Sequence, residues 1–145
     1  MKISDCMTRN VRLADPQMSL REAAKTMAEC DSGVLPVGEN DRLVGMLTDR
    51  DIVIRGVARG LGPDARVDQA MSREVRWCFE DEDADEVLAT MADEQIRRMP
   101  VLSRAKRLVG IISLGDLAKE HEKRAAGAAL SDISRPGGQH SQTAH

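Results

Sequence analysis

Apolar residues recur at helical spacing in two segments of the chain. Residues 19–29 read SLREAAKTMAE and residues 83–93 read DADEVLATMAD. Each segment opens with a polar residue that is followed three positions later by glutamate, which is the pattern of an N-terminal capping box. In each, apolar residues three or four positions apart predict one buried stripe. The stripes are Leu20, Ala23 and Met27, and Ala84, Val87 and Met91.

Short apolar runs around these helices predict β-strands. They are VRLAD (11–15) and VRWCF (75–79) before the helices, and VLPV (34–37), RLVGMLT (42–48), RMPVL (98–102) and RLVGIIS (107–113) after them. The proline in VLPV and in RMPVL cannot donate to a ladder, which predicts a strand start, an edge or a bulge. Closing helices are predicted in DRDIVIRGVARG (49–60) and LGDLAKEHEKRAAG (114–127). The order β-α-β-β-α therefore occurs twice, and the fold class is α+β.

The two halves are copies of one repeat. A shift of 64 residues places Pro36-Val37 on Pro100-Val101, and one inserted residue then makes the shift 65 and places Asp51 on Asp116. We predict a first motif over residues 1–62, a second over 63–126, and a polar tail over 127–145 that has little to pack.

Composition restricts the function more than the fold. The chain has 145 residues and a net charge of −3, which argues against a general nucleic-acid binder. With one Trp, one Phe and no Tyr, aromatic platforms for base stacking are nearly absent. Three cysteines and three histidines stand in no metal-ligand spacing, and the cysteines are expected to be reduced thiols. No apolar run is long enough to span a membrane or to act as a secretory signal, so we expect a cytoplasmic protein.

A hydroxyl and a carboxylate recur three residues apart in both repeats. GMLTDRD contains Thr48 and Asp51, and GIISLGD contains Ser113 and Asp116. Two interpretations are open. The hydroxyl caps the helix that follows, or the pair holds a nucleoside, with the carboxylate accepting from ribose hydroxyls and the helix start favouring phosphate.

The repeat resembles the cystathionine-β-synthase (CBS) domain family, and the pair resembles a Bateman module. The residues that carry the likeness are DCMTRNV and QAMSREV at the repeat starts, VLPV and RMPV, and above all GMLTDRD and GIISLGD. The resemblance covers residues 1–124. It implies two motifs packed about a pseudo-twofold axis, with clefts that commonly hold AMP, ADP, ATP, S-adenosylmethionine or NAD. No obligatory cofactor is implied.

The resemblance also implies the ligand-binding residues. We expect two unequal sites, because the segment QIRRM supplies Arg97 and Arg98 where the first repeat has the uncharged end of DSGVL. The alternative is that the two arginines are simply solvated. Arg50 and Arg55 add charge beside Thr48. The expected ligand-binding residues are Thr48, Arg50, Asp51, Arg97, Arg98, Met99, Pro100, Leu35, Pro36, Ser113 and Asp116. The better site is placed at Thr48 and Asp51, with the arginines reaching it from the other repeat.

No nucleophile is accompanied by a base, so we expect no enzyme. The resemblance implies a nucleotide-sensing regulatory module with an unknown regulated partner. The alternative is a structural dimerisation module without ligand. A homodimer is expected in both cases, since Ile52, Val53 and Val57, and Leu117 and Ala118, are more apolar residues than a half of this size can bury.

Overall fold

The computed structural model describes residues 1–120 and residue 133. The chain forms two compact units. The first-repeat unit is Arg12–Val75, and the second-repeat unit combines Met1–Val11 with Arg76–His145. Both units contain helices and strands, which confirms the predicted α+β class.

The first-repeat unit contains a helix and a two-stranded antiparallel sheet. Its elements are α1 (Leu20–Cys30), β1 (Val34–Glu39), β2 (Arg42–Thr48) and α2 (Asp49–Asp51), followed by a π-helical turn at Ile52–Gly56 and 3₁₀ turns at Val57–Arg59 and Val67–Gln69. Val34 lies opposite Thr48, and the register shifts between Val37 and Gly38. Pro36, expected to mark a strand start, an edge or a bulge, pairs in register with Met46, and the irregularity lies one residue beyond it.

The second-repeat unit has a three-stranded sheet in the order β3-β4-β5. Its elements are a 3₁₀ turn at Ile3–Asp5, β3 (Cys78–Phe79), α3 (Ala84–Glu94), β4 (Arg98–Leu102), β5 (Leu108–Ser113) and α4 (Leu114–Glu120). Strand β3 is parallel to β4, and β4 is antiparallel to β5, with Arg98 opposite Ser113. A register shift between Val101 and Leu102 repeats the bulge of the first unit.

Both long helices begin where the capping pattern predicts. The Ser19 hydroxyl accepts from the Glu22 amide at 3.1 Å, and the Asp83 carboxylate accepts from the Glu86 amide at 3.3 Å. Met27 and Met91 lie in the two hydrophobic cores, as their stripes predict. Side-chain capping and one buried stripe therefore fix the position of each helix.

The compact units divide the chain differently from the sequence repeats, because each unit contains the segment that precedes the other repeat. The Ile3 amide donates to the Glu82 carbonyl at 3.0 Å, and so places the N-terminus in the second-repeat unit. The Val67 amide donates to the Met18 carbonyl at 2.8 Å, and so places residues 67–72 in the first-repeat unit. The boundaries 1–62 and 63–126 remain divisions of the sequence.

Two close backbone approaches hold these leading segments. A Cβ added to Gly45 would lie 2.7 Å from the Ser72 carbonyl oxygen and 2.9 Å from the Met71 Sδ. A Cβ added to Gly110 would lie 2.6 Å from the Thr8 carbonyl oxygen and 2.9 Å from the Met7 Sδ. Glycine is required at both positions for space.

The strand expected at VRLAD is reduced to a single parallel bridge between Ala14 and Val37. The Ala14 amide donates to the Pro36 carbonyl at 2.9 Å. The next amide that could donate to β1 is that of residue 16, but this residue is a proline and has no N–H. In the second repeat Glu80 stands at that position, and its amide continues the ladder to the Leu102 carbonyl at 2.8 Å. Pro16 therefore explains why only the second repeat forms this strand.

The closing segments of the two repeats also differ from the expectation. After Asp51 the first is a π-helical turn, and Val53 and Val57 are 55% and 67% exposed. Leu117, expected to need a second subunit for burial, is fully buried in the core of its own unit. Ile133, in the segment expected to be a polar tail, is buried in the same core. The other residues of that tail lie outside the described residues.

Candidate functional site

The first hydroxyl–carboxylate motif lies where β2 ends and α2 begins. The Thr48 hydroxyl accepts from the Asp51 amide at 3.0 Å, and the Asp51 Oδ2 accepts from the Thr48 amide at 2.9 Å. This reciprocal pair fixes the Asp51 carboxylate at the first turn. The Asp51 side chain is 17% exposed, so it is held at the edge of the fold and remains accessible.

The second motif repeats this geometry between β5 and α4. The Ser113 hydroxyl accepts from the Asp116 amide at 3.1 Å, and the Asp116 Oδ2 accepts from the Ser113 amide at 3.2 Å. The capping role is therefore present in both copies. It occupies Oδ2 of each carboxylate, and ribose binding by these carboxylates stays a prediction.

Different groups approach the two carboxylates from outside the motif. The Arg55 Nε lies 4.0 Å from the Asp51 Oδ1, and the Arg55 Nη1 donates to the Met71 carbonyl at 3.3 Å. At the second motif the Thr8 hydroxyl donates to the Asp116 Oδ2 at 3.3 Å. The first carboxylate is thus paired with a cation, and the second with a neutral hydroxyl.

The arginines predicted to bind phosphate belong to the second-repeat unit. Arg98 begins β4 opposite Ser113, and the Arg97 carbonyl accepts from the Leu114 amide at 3.1 Å. Both side chains are partly buried. Within one unit, the structure therefore brings Arg97 and Arg98 to the end of β5 that carries Ser113, and contact with a ligand at Asp51 stays a prediction.

The apolar residues predicted to line the site lie on the strands beside the two motifs. Leu35 and Pro36 are buried in β1, and Met99 and Pro100 are buried in β4. Leu35 and Met99 belong to the hydrophobic cores of their units. Each strand positions its motif, and ligand contact by these side chains stays a prediction.

Arg50 is exposed, and its amide donates to the Asp49 Oδ1 at 2.8 Å. The Asp49 carboxylate lies over Gly33, where an added Cβ would be 2.7 Å from its Oδ2. At the equivalent positions the second repeat has Arg97 and Leu114, and Leu114 is buried. The start of this helix therefore carries an acidic side chain in the first repeat, and a buried leucine beside an arginine in the second.

The described residues do not assemble a metal centre, and the buried Cys78 thiol is not activated. No group of three or more His, Cys, Asp or Glu among them could hold a metal ion. Burial, with smaller effects of Glu82 and Cys6, raises the pKa of the Cys78 thiol to about 12, so this thiol is protonated and a poor nucleophile at neutral pH. None of the helices formed by these residues is long and apolar enough to cross a membrane.

Two contacts of the motifs were not predicted as partners from the sequence. Arg55 follows Asp51 by four residues, a spacing that favours an ion pair on a helix and could have identified it. Thr8 precedes Asp116 by 108 residues. No local pattern identifies that contact, because it depends on the N-terminal segment crossing to the second-repeat unit.

Comparison with protein families gives two matches within this chain. The model of the CBS domain matches residues 3–56 and residues 67–123. The two matched segments correspond to the two repeats, and together they cover most of the chain.

Proteins of similar length match nearly the whole chain. Uncharacterized protein YlbB of Bacillus subtilis is 41% identical over 136 residues, covering 92% of this chain and 91% of that protein. Hypoxic response protein 1 of Mycobacterium tuberculosis is 38% identical over 134 residues, covering 91% and 93%.

Solved structures show the same fold. The crystal structure of hypoxic response protein I with two coordinated zinc ions gives a TM-score of 0.76 at 39% identity, covering 84% of this chain and all of that one. The CBS domain pair of protein MJ0100, in complex with 5′-methylthioadenosine and S-adenosyl-L-methionine, gives 0.72 at 27% identity, covering 83% and 94%. That second structure is of a pair holding adenosine compounds.

Proposed function

Because this chain belongs to the CBS domain family, we propose that it is a regulatory module that binds an adenosine nucleotide, AMP or a close relative, at Thr48 and Asp51. The observation that carries the proposal is the Asp51 carboxylate, which is fixed through its Oδ2 by the Thr48 amide. Ribose presents two adjacent hydroxyl donors, and a fixed carboxylate can accept from both without losing further freedom.

The phosphate is assigned to the Thr48 hydroxyl and to basic side chains. Thr48 and Arg50 lie just before Asp51 in the chain, where a hydroxyl and a cation favour an anion. Arg97 and Arg98 complete the proposed set from the other repeat. The adenosine compounds bound by the pair of MJ0100 support this class of ligand.

Calorimetric titration with AMP and with adenosine tests the proposal. Replacing Asp51 with Ala should weaken AMP binding by about ten- to a hundredfold, equivalent to about 1.5–3 kcal/mol. Replacing Asp116 with Ala is the matched control, since it removes the equivalent carboxylate from the second motif. It should change the AMP affinity of the Asp51 site by only a few-fold. Arg98→Ala should weaken AMP far more than adenosine, because only AMP carries phosphate.

Two results would reject this assignment. If Asp116→Ala abolished binding and Asp51→Ala did not, the ligand would belong to the second motif. If no adenosine compound bound at millimolar concentration, the sensing function would be wrong. Mass spectrometry of nucleotides that copurify with the protein would identify the natural ligand, and phosphate release from ATP would reveal an unexpected hydrolase.

A structural dimerisation module is the second candidate, and exposed apolar residues favour it. Val53, Ile54 and Val57 are 55%, 48% and 67% exposed on the segment after Asp51. We propose that this surface is covered in a homodimer. Light scattering should give a dimer mass at micromolar concentration, and Val57→Glu should shift that mass toward the monomer. A monomeric wild type would contradict the dimer.

A further inference from the structure

We infer that Arg55 is a positioning residue that makes the Asp51 motif selective for a phosphorylated ligand over its uncharged nucleoside. This inference rests on the proposed function and names the chemical class that the site prefers. It follows from the two contacts of one guanidinium group, with a carboxylate on one side and a backbone carbonyl on the other.

The first contact acts on the charge of the site. The Arg55 Nε lies 4.0 Å from the Asp51 Oδ1, which is the carboxylate oxygen that the Thr48 amide leaves open for ribose. A carboxylate without a cation would repel the phosphate of a nucleotide whose ribose it binds. Because the Asp51 side chain is only 17% exposed, solvent screens this repulsion less than at an open surface. Arg55 offsets it.

The second contact fixes where that charge lies. The Nη1 group donates to the Met71 carbonyl at 3.3 Å, so the guanidinium is held against the segment that covers Gly45. The planar fork of arginine can serve both contacts at once, whereas lysine offers a single ammonium centre. The contact also links the ligand-binding carboxylate to residues 71–72, immediately before the chain leaves the first-repeat unit.

The second motif has no residue equivalent to Arg55 in charge. The residue equivalent to Arg55 is Glu120, and the neutral Thr8 hydroxyl takes the place beside Asp116. Among residues 1–117 and 133, no ion pair of Asp116 is formed. Within these residues, a cation beside the motif carboxylate is therefore found at Asp51 and not at Asp116.

The test compares AMP with adenosine in three variants. In Arg55→Ala we expect AMP affinity to fall about tenfold and adenosine affinity at most about threefold, because the lost charge acts mainly on the phosphate. Arg55→Lys should recover part of the AMP affinity. Arg59→Ala is the matched control, since it removes an equally basic, exposed side chain four residues further along and should change neither ligand.

The inference would be overturned if Arg55→Ala lowered the affinities for AMP and adenosine by the same factor. It would also be overturned if Arg55→Ala and Arg59→Ala had the same effect on AMP affinity. Hydrogen exchange separates this failure from failure of the proposed function, since it needs no ligand. The Ser72 amide donates to the Met46 carbonyl at 2.9 Å and should exchange several-fold faster in Arg55→Ala than in Arg59→Ala. Equal exchange would show that Arg55 does not hold this segment. If exchange increased while the wild type bound neither ligand, Arg55 would still hold this segment, but the proposed function and the selectivity that rests on it would both be wrong.

Discussion

The two hydroxyl–carboxylate motifs are built in the same way and differ in the groups around them. Both pair a hydroxyl with the amide three residues later at 3.0–3.1 Å, and both return a carboxylate oxygen to the first amide. Around this shared frame, Asp51 faces Arg55, whereas Asp116 accepts from Thr8.

The difference separates what the fold requires from what a ligand would distinguish. Several backbone contacts recur in both repeats, including the close approaches at Gly45 and Gly110, where an added Cβ would lie 2.7 and 2.6 Å from a carbonyl oxygen. Charged side chains differ, because Arg97 and Arg98 replace Gly33 and Val34 in the second copy. The duplicated frame supports the fold, and the unequal charges predict unequal affinities.

The largest expected effect tests whether the two cores are equivalent. Met91 is fully buried and Met27 is 7% exposed. Replacing either with Ala should lower the free energy of unfolding by about 2–5 kcal/mol through lost contacts and the cavity left behind, with the greater loss at Met91. Urea unfolding measures both. A loss below about 1 kcal/mol at either position would show that its core collapses around the change.

The next effect tests the equivalence of the glycine approaches. Gly45→Ala and Gly110→Ala should each cost about 1–3 kcal/mol, because a methyl group would overlap a carbonyl oxygen and a methionine sulfur. Gly62→Ala is the control, since no atom lies within 4 Å of an added Cβ there. Thermal melting of the three variants should leave only the control unchanged. A tolerated substitution at Gly110 would show that the N-terminal segment moves away readily.

Local chemistry made much of the fold predictable from the sequence. Ser19 and Asp83 mark helix starts because their side chains satisfy amides of the first turn, which depends only on nearby residues. The strand lost at VRLAD was not predicted, although Pro16 directly follows that segment. The sequence also did not predict that the segment preceding each repeat packs in the unit of the other repeat. Alignment of the repeats shows which residues are similar, but not which copy a segment contacts.

The candidate site was predictable in its frame and less so in its surroundings. The spacing of Thr48 and Asp51 fixes their reciprocal hydrogen bonds, since both lie within one turn. The partner of Asp116 depends on tertiary structure, because Thr8 reaches it from the opposite end of the chain. Arg97 and Arg98 are adjacent to Ser113 through strand pairing, which the hairpin pattern of β4 and β5 implies.

A smaller effect compares the two caps. Thr48→Ala and Ser113→Ala should each destabilise the protein by about 0.5–2 kcal/mol, because one amide of the first helical turn loses its acceptor. The expected losses are similar, since the two hydrogen bonds measure 3.0 and 3.1 Å. Urea midpoints give the comparison. A much larger loss for either variant would indicate that its hydroxyl supports more than the cap.

The smallest expected effect comes from an exposed ion pair that only the second repeat has. The Arg104 Nε donates to both carboxylate oxygens of Asp81 at 2.9–3.0 Å, whereas Gln17 stands at the position of Asp81 in the first repeat. The hydrogen bond from Arg104 holds the pKa of the Asp81 carboxyl below its ordinary value of 3.8. A lowered pKa in the folded state means that the pair stabilises the protein above the unfolded pKa and ceases to do so as pH falls through the folded value.

Asp81→Asn tests this pair and leaves Arg104 over the Phe79 ring, where its guanidinium carbon is 4.0 Å from the ring centroid. The variant should melt slightly below the wild type at pH 7, and the gap should close as pH falls below about 3.8. Salt should shrink the gap at pH 7, because both groups are exposed. If the difference in melting temperature persisted at acid pH or in high salt, it would come from uncharged hydrogen bonds of residue 81 and not from its charge. The contrast between the two repeats at this position would then not be electrostatic.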